Sequence, residues 1–280
     1  MEIFGLSEGT VRLGVFASVF AIMACVEAIL PRKQRTQPRG SRWFTNWSLV
    51  IIDSIVLRIL FPILAVGAAG YAGEQGWGLL NAVPLPIWLE IILAIVLLDF
   101  AVWAQHVASH KIPILWRIHK VHHVDRDIDV TTGIRFHPIE IVLSMAYKLL
   151  VVIALGPAAL AVVLFEVILN ASAMFNHANV RLPLAVDRVL RTIIVTPDMH
   201  RVHHSIIHRE TDSNYGFFFS LWDRLFGTYI AQPNRGHNGV VIGLDEHQDD
   251  SPSSLFWSLM LPFKNAKVTV KPPSGQETTQ

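Results

Sequence analysis

The fold is decided by residues 85–123, which read LPIWLEIILAIVLLDFAVWAQHVASHKIPILWRIHKVHH. The first half of this stretch is long and apolar enough to span a bilayer as a helix. The second half carries histidines with the spacings HxxxH, at residues 106–110, and HxxHH, at residues 119–123. Pro113 stands between the two motifs and predicts the end of one helix and the start of another. The stretch therefore predicts a membrane helix that runs directly into a histidine-rich polar segment.

The composition of the whole chain is typical of a membrane protein. Of its 280 residues, 52% are hydrophobic and 16% are charged, whereas about a quarter of the residues in soluble domains are charged. The net charge of +1 gives no basic field that would favour nucleic acid, so we expect no such partner. The single cysteine, Cys25, leaves no disulfide and no cysteine-rich metal site.

Apolar segments predict an all-α, multi-pass membrane bundle with about three spans and a helical hairpin. The predicted spans are residues 11–30, 47–70 and 85–103, and the hairpin is residues 139–176, broken at Gly156-Pro157. The loop of residues 31–42 is rich in arginine and lysine and contains no acid. By the positive-inside rule, this loop lies in the cytoplasm, and all 13 histidines then lie on the same side. We therefore expect a cytosolic, histidine-rich cap on the bundle.

A third histidine motif, His200-Arg-Val-His203-His204, follows Thr196-Pro197-Asp198, which is typical of a helix start. Histidines at positions i, i+3 and i+4 share one face of a helix. The eight histidines of the three motifs exceed the ligands that one structural or catalytic zinc ion takes, and therefore indicate two metal ions. Imidazole suits zinc, copper, iron and nickel. A shell made only of nitrogen favours oxygen chemistry at iron, but the spacing alone leaves zinc open.

Several residues outside the motifs are further candidates for the site. His177 lies at the end of the predicted hairpin and is a candidate ligand, and His137 is a possible ligand or a partner of one. Metal-bound imidazoles need an acceptor that orients the second ring nitrogen. Asp99, two helical turns before His106, and Asp198 are candidates for that role. Glu140 and Asp223 are further ones.

At these residues the sequence resembles the fatty acid hydroxylase / sterol desaturase superfamily of membrane di-iron enzymes. Members show an HxxxH or HxxxxH motif followed by two HxxHH motifs, in the order found here. The sequences Arg135-Phe136-His137-Pro138 and Thr196-Pro197-Asp198-Met199-His200 also match, and the resemblance covers about residues 90–230. Two positions depart from the pattern of many members, since Val107 replaces an arginine and Ala173 replaces a histidine.

The resemblance implies an enzyme that uses two iron ions and O₂ to hydroxylate, or to desaturate, a lipid such as an acyl chain, a sterol or an isoprenoid. It also implies which histidines ligate the metal. By position, these are His106, His110, His119, His122, His123, His200, His203 and His204, with His177 as a ninth. A cytochrome b5-like domain does not fit in 280 residues. We therefore expect electrons from a separate partner of the ferredoxin, cytochrome b5 or reductase type.

We divide the chain into three parts on this basis. Residues 1–84 are predicted to hold transmembrane helices and the basic loop, and residues 85–230 a fatty acid hydroxylase-like catalytic domain. Residues 231–280 are predicted to form a polar tail, partly disordered. The short chain favours a bacterial inner membrane, or the membrane of the endoplasmic reticulum if the source is eukaryotic.

Two other interpretations of the histidines stay open. A membrane zinc hydrolase would hold one ion. An HExxH motif is typical of such enzymes, and the sequence lacks one. A histidine-rich metal transporter would carry polar residues through the middle of its spans. Here the histidine motifs lie beside the predicted spans.

Overall fold

Helices make up nearly all the regular structure of the chain, in a computed structural model that describes residues 2–3 and 5–264. A hairpin of two short strands, β1 Glu2–Ile3 and β2 Leu6–Ser7, precedes the first helix. The helices have these bounds: α1 Glu8–Ile29, α2 Arg39–Leu60, α3 Ala65–Gln75, α4 Ile87–Lys111, α5 Pro113–His123, α6 Pro138–Leu155, α7 Ala159–His177, α8 Leu184–Leu190, α9 Pro197–His203, α10 His208–Thr211, α11 Leu221–Leu225, α12 Gly236–Gly239 and α13 Leu255–Met260. Four short 3₁₀ helices cover Thr132–Ile134, Asp245–His247, Ser251–Ser253 and Leu261–Phe263. The predicted all-α class is confirmed.

Within residues 5–264, five helical segments are long and apolar enough to cross a membrane. They are Glu8–Ile29, Arg39–Gln75, Ile87–Lys111, Pro138–Leu155 and Ala159–His177. Their outward faces carry large apolar side chains, and Leu13, Ile29 and Leu150 are 68%, 75% and 69% exposed. Soluble monomers rarely expose contiguous apolar surface of this kind. These faces therefore need a bilayer as their solvent. The five segments match the three predicted spans and the two halves of the hairpin, while the side on which the cap lies stays a prediction.

The second predicted span, residues 47–70, differs from expectation because the structure divides it into α2 and α3. The break falls at residues 61–64 and contains Pro62, which has no backbone N–H to continue a helical ladder. Helix α3 then extends five residues beyond the predicted end of the span and stops at Gly76, whose φ of 65° is the left-handed conformation that glycine tolerates.

A contact between two glycines fixes the end of the bundle opposite the histidines. Gly156 ends α6 with φ 60°, and a Cβ placed on Gly78 would lie 2.3 Å from the backbone nitrogen of Gly156. The N–H of Leu79 donates to the carbonyl of Ala154 at 3.0 Å. The turn of the α6–α7 hairpin therefore packs tightly on the loop between α3 and α4.

Small residues allow the helices above this turn to pack closely. Ala65, Ala68 and Ala69 of α3 are buried in one cluster with Val152 of α6 and Phe165 of α7. Small side chains let helix backbones approach one another, which is how membrane helices associate without a hydrophobic driving force. This core holds α3, α6 and α7 together beneath the cap.

The basic loop of residues 31–42 is bound to acids of the cap. Arg42 is 1% exposed, and its guanidinium donates to Asp125 and to Asp129, both at 2.7 Å. Arg32 pairs with Asp198 of the cap at 3.0 Å, whereas Arg39 pairs with Glu27 of α1 at 3.3 Å. The positive charges that predict the topology therefore also tie the ends of α1 and α2 to the histidine-rich cap.

The segment that follows residue 230 is folded as far as the structure describes it. Leu261 is fully buried and packs in one cluster with Val121 of α5 and Leu49 of α2. The stretch after Lys267, which is the part of the tail predicted to be disordered, lies outside the described residues. The division of the chain into three parts stays a prediction.

Candidate metal centre

Nine buried histidines converge in two groups where α4, α5, α7 and α9 meet. Within each group the ring nitrogens that could bind an ion lie within 4.8 Å of one another. The first group is His106, His110, His119, His123 and His203. The second group is His122, His177, His200 and His204. The two groups adjoin, since the rings of His123 and His204 stack with centroids 4.5 Å apart.

Each HxxHH motif contributes to both groups. In α5, His119 and His123 join the first group and His122 joins the second. In the motif of α9 the assignment is reversed, because the pair at i and i+4 joins the second group and His203 joins the first. The spacing predicts that the histidines of one motif face the same site. Instead, each HxxHH motif divides its histidines between the two groups and so connects them.

In the first group, ring nitrogens without a proton face one another. The Nδ1–H of His106 donates to the carbonyl of Tyr215 at 2.7 Å, and the Nδ1–H of His203 donates to the carbonyl of Ser213 at 2.6 Å. A carbonyl only accepts, so in the neutral ring Nε2 carries the lone pair. The two Nε2 atoms lie 3.1 Å apart.

The second group repeats this arrangement. The Nδ1–H of His122 donates to the carbonyl of Arg135 at 3.1 Å, and the Nδ1–H of His177 donates to the carbonyl of Ala173 at 2.7 Å. Their Nε2 atoms lie 3.1 Å apart, and Nε2 of His200 lies 3.0 Å from that of His177. Lone pairs at this distance repel one another unless a cation lies between them.

The donor set fits a metal ion in each group. Two nitrogens that each ligate one ion at about 2.1 Å, at right angles, lie about 3.0 Å apart. Burial lowers the pKa of His122 and His200 well below the usual value and lowers that of His203 to about 3, so the imidazoles are neutral, as metal ligation requires. Both ring nitrogens of the buried His204 have no hydrogen-bond partner within residues 5–264. The two groups can therefore each hold a metal.

Glu140 is the carboxylate that contacts the histidine groups most closely. Its Oε1 accepts a hydrogen bond from Nδ1 of His119 at 2.6 Å. This contact fixes the ring so that Nε2 points into the first group, where it lies 3.2 Å from Nε2 of His106. The sequence suggested Glu140 for this role but gave no spacing rule that singled it out.

Two other predicted site residues, His137 and Asp99, lie outside both groups. His137 caps α6, with Nδ1 accepting from the backbone N–H of Ile139 and Nε2 donating to the carbonyl of Leu259. The carboxylate of Asp99 accepts from the indole of Trp222 at 2.8 Å and from the backbone of Phe219. His137 and Asp99 therefore form hydrogen bonds with other parts of the fold and not with the histidines of the two groups.

Asp198 and Asp223 support the cap around the histidines. Asp198 forms an ion pair with Arg201 and a second with Arg32. Asp223 accepts from the backbone N–H of Tyr215 at 2.9 Å and from the indole of Trp103 at 3.1 Å. Asp223 therefore positions the backbone of Tyr215, whose carbonyl orients His106.

A cavity of about 270 Å³ reaches His106 and His119 from between the long helices. Apolar residues form much of its wall, and polar side chains project into it. These polar residues are Asp53, Ser54, Gln105, Ser109, Glu140, Ser144, Lys148 and Asn170. A second cavity of about 240 Å³ shares Gln105, Ser109 and Glu140 with the first and is otherwise lined mainly by apolar residues. Asp53 lies within the predicted span of residues 47–70, but the periodicity of that span does not show that Asp53 lines a cavity beside the histidines.

The fold and the site define a helical membrane protein with a buried histidine centre beside a largely apolar cavity. The family model described as "Fatty acid hydroxylase" matches residues 91–228. These residues therefore form a fatty acid hydroxylase domain.

Curated relatives of the chain include lipid hydroxylases and monooxygenases. The chain is 28% identical to the ornithine lipid hydroxylase OlsE of Rhizobium tropici over 81% of its own length and 70% of the relative. It is 26% identical to human alkylglycerol monooxygenase over 66% of its own length, but the match spans only 42% of that relative. It is 27% identical to a zebrafish cholesterol 25-hydroxylase-like protein over 76% of its own length and 83% of the relative. No solved structure matches. With the five apolar helical segments, these relatives support an integral membrane protein.

Proposed function

We propose that the protein is a membrane oxygenase that uses two iron ions, one in each histidine group, to hydroxylate a lipid. The observation that carries the proposal is the pair of adjoining histidine groups, with ring nitrogens converging at 3.0–3.2 Å beside the cavity of about 270 Å³. Eight of the nine histidines belong to the motifs that the family resemblance assigns as ligands, and His177 is the ninth.

The bound ions would supply the activation of O₂ that oxidation of an unactivated C–H bond requires. The protein's part is to hold the ligands and to place the substrate. Backbone carbonyls of Tyr215 and Arg135 fix the tautomers of His106 and His122, and Glu140 fixes that of His119. The buried position of the histidines excludes bulk water, and the cavity directs one end of a lipid toward the first group.

The reaction requires electrons from outside the chain. Hydroxylation inserts one oxygen atom of O₂ into a C–H bond, and the other leaves as water after two electrons and two protons are taken up. We propose a separate redox partner of the ferredoxin, cytochrome b5 or reductase type on the side of the cap, which is the cytoplasmic side by the charge rule. A bacterial inner membrane is the proposed location.

The lipid class follows from the membrane setting and from the relatives. The relatives are named as hydroxylases or monooxygenases of an ornithine lipid, an alkylglycerol and cholesterol. All are lipids that partition into a bilayer, and the cavity here lies between helices whose outer faces are apolar. We propose insertion of oxygen rather than desaturation because these relatives are named hydroxylases and monooxygenases.

The test combines metal analysis with lipid mass spectrometry. We expect about two irons per purified chain, and lipids that gain one ¹⁸O atom in cells grown under ¹⁸O₂. His203→Ala should lose iron and abolish the labelled lipid. His208→Ala, whose side chain is 92% exposed, is the matched control and should retain both. Zinc in place of iron, or lipid conversion that persists without O₂, would show that the proposed function is wrong.

A further inference from the structure

The cavity beside the histidines contains an acid that the metal groups leave unused. Asp53 of α2 lines the cavity and is 4% exposed. Its Oδ1 has no hydrogen-bond partner in the described part of the chain. Burying an ionised carboxylate without a partner is costly, and acids kept inside membrane proteins commonly bind a substrate or an ion. Asp53 therefore offers a vacant acceptor to whatever enters the cavity.

A second carboxylate oxygen faces the same space. Glu140 lines the cavity and uses Oε1 to hold His119, while its Oε2 has no hydrogen-bond partner within residues 5–264. The two carboxylates therefore line one cavity. Two negative groups on one cavity wall favour a ligand with a positive group between them.

The cation that lines this cavity is already engaged elsewhere. Nζ of Lys148 lies 3.0 Å from Oε1 of Glu166, and the guanidinium of Arg12 lies 2.8 Å from the other oxygen of Glu166. Among the described residues, neither a lysine nor an arginine forms an ion pair with Asp53 or Glu140. A cationic ligand would supply the missing partner.

The second cavity provides a place for the rest of such a ligand. It shares Gln105, Ser109 and Glu140 with the first cavity as lining residues, and its walls include Leu143 and Tyr147 of α6. Alkyl chains are stabilised in such apolar surroundings. The first cavity would then hold a polar end near the histidines while the second holds the chain.

We propose that the substrate is a lipid with a protonated amine, which binds Asp53 and directs oxidation to a carbon near that amine. This inference rests on the proposed function for the oxidation step. The binding step does not depend on it, because Asp53 belongs to neither histidine group. The position of the oxidised carbon follows from the placement of Asp53, His106 and His119 around one cavity.

The test measures binding of simple probes to the full-length protein in phosphatidylcholine nanodiscs, with empty nanodiscs subtracted. Dodecylamine and dodecanol have the same chain and differ in charge. We expect the wild-type protein to bind dodecylamine at least about tenfold more tightly than dodecanol. Asp53→Asn should remove this preference, and Asp53→Glu should keep most of it. Glu74→Gln also replaces a carboxylate by its amide, as Asp53→Asn does, but at an exposed site on α3. It should leave the ratio of the two binding affinities unchanged.

Each outcome decides the proposal. Equal binding of the two probes by the wild-type protein would overturn it, whether or not any variant folds. An amine preference that survives in correctly folded Asp53→Asn would also overturn it. The His203→Ala protein should keep the amine preference although it loses oxidation, so failure of the metal chemistry and failure of the amine site are separable. A wild-type protein that contains iron and oxidises lipids but does not prefer the amine would leave the proposed function standing and reject only this inference.

Discussion

The Nδ1 of His119 and Oε1 of Glu140 lie 2.6 Å apart, which joins the first histidine group to the wall of the cavity. His119 belongs to α5 in the cap, whereas Glu140 lies in the first turn of α6, one of the five candidate membrane spans. The same carboxylate therefore orients a candidate metal ligand and faces the space proposed for the substrate. Changes in α6 are expected to reach the metal through this contact.

Glu140→Gln should weaken metal binding in the first group. The amide can still accept from His119, but it lacks the charge that strengthens the hydrogen bond and the basicity of the imidazole. Loss of such an outer partner typically lowers metal affinity by about 10–100-fold. Iron retained after dialysis against a graded series of chelator concentrations measures this change. Asp250→Asn, at a side chain 89% exposed, should behave as wild type. Wild-type iron retention by Glu140→Gln would show that this hydrogen bond does not support the metal.

The two histidine groups predict separable losses of metal. His106→Ala removes a member of the first group only, and His200→Ala removes a member of the second only. Each variant should retain about one iron per chain, and the double variant should retain almost none. Inductively coupled plasma mass spectrometry on purified protein gives the stoichiometry. If either single variant loses all its iron, the groups form one interdependent site rather than two.

Gly133→Ala should disturb the second group without altering any histidine. A Cβ at Gly133 would lie 2.7 Å from the carbonyl oxygen of Ala173, the atom that accepts from Nδ1 of His177. A methyl group cannot fit there unless α7 or the Thr132–Ile134 turn moves, so the orientation of His177 should change. We expect loss of about one iron per chain with the fold retained, measured by metal analysis and circular dichroism. Gly40→Ala, where an added Cβ meets nothing within 4 Å, should keep both irons. Full iron content in Gly133→Ala would mean that the backbone relaxes without moving the ligand.

The sequence predicts the helices and the site to different depths. Apolar length alone predicts the five helical segments. Histidine spacing alone identifies eight of the nine histidines of the site. His177 lies outside any motif, and its placement depends on α7 ending beside α9. Spacing could not show that His122 leaves the group of His119 and His123, because that depends on how α5 packs against its neighbours.

Acidic partners were harder to predict than ligands. Asp99 stands two turns before His106 on a continuous helix, so local spacing favours it, yet its carboxylate accepts from Trp222. Glu140 is 21 positions from His119 and contacts it only through the fold. Contacts between elements distant in sequence leave no periodic signal. The pairing of Arg42 with the acids of the cap could not be predicted for the same reason. The positive-inside rule already accounts for a basic loop, so the loop gave no sign of these ion pairs.

Arg42→Met should destabilise the cap strongly. Arg42 binds Asp125 and Asp129, which are 2% and 1% exposed, so its removal leaves two buried carboxylates without their partner. Breaking a buried ion pair in this way typically costs about 3–5 kcal/mol. Unfolding in a titration with a denaturing detergent measures the loss against Arg188→Ala, an exposed site expected to change little. Adding Asp129→Asn to Arg42→Met should recover part of the stability, because it removes one of the uncompensated charges. If the double variant is no more stable than Arg42→Met, the loss arises from the missing packing of the arginine side chain rather than from the buried charge.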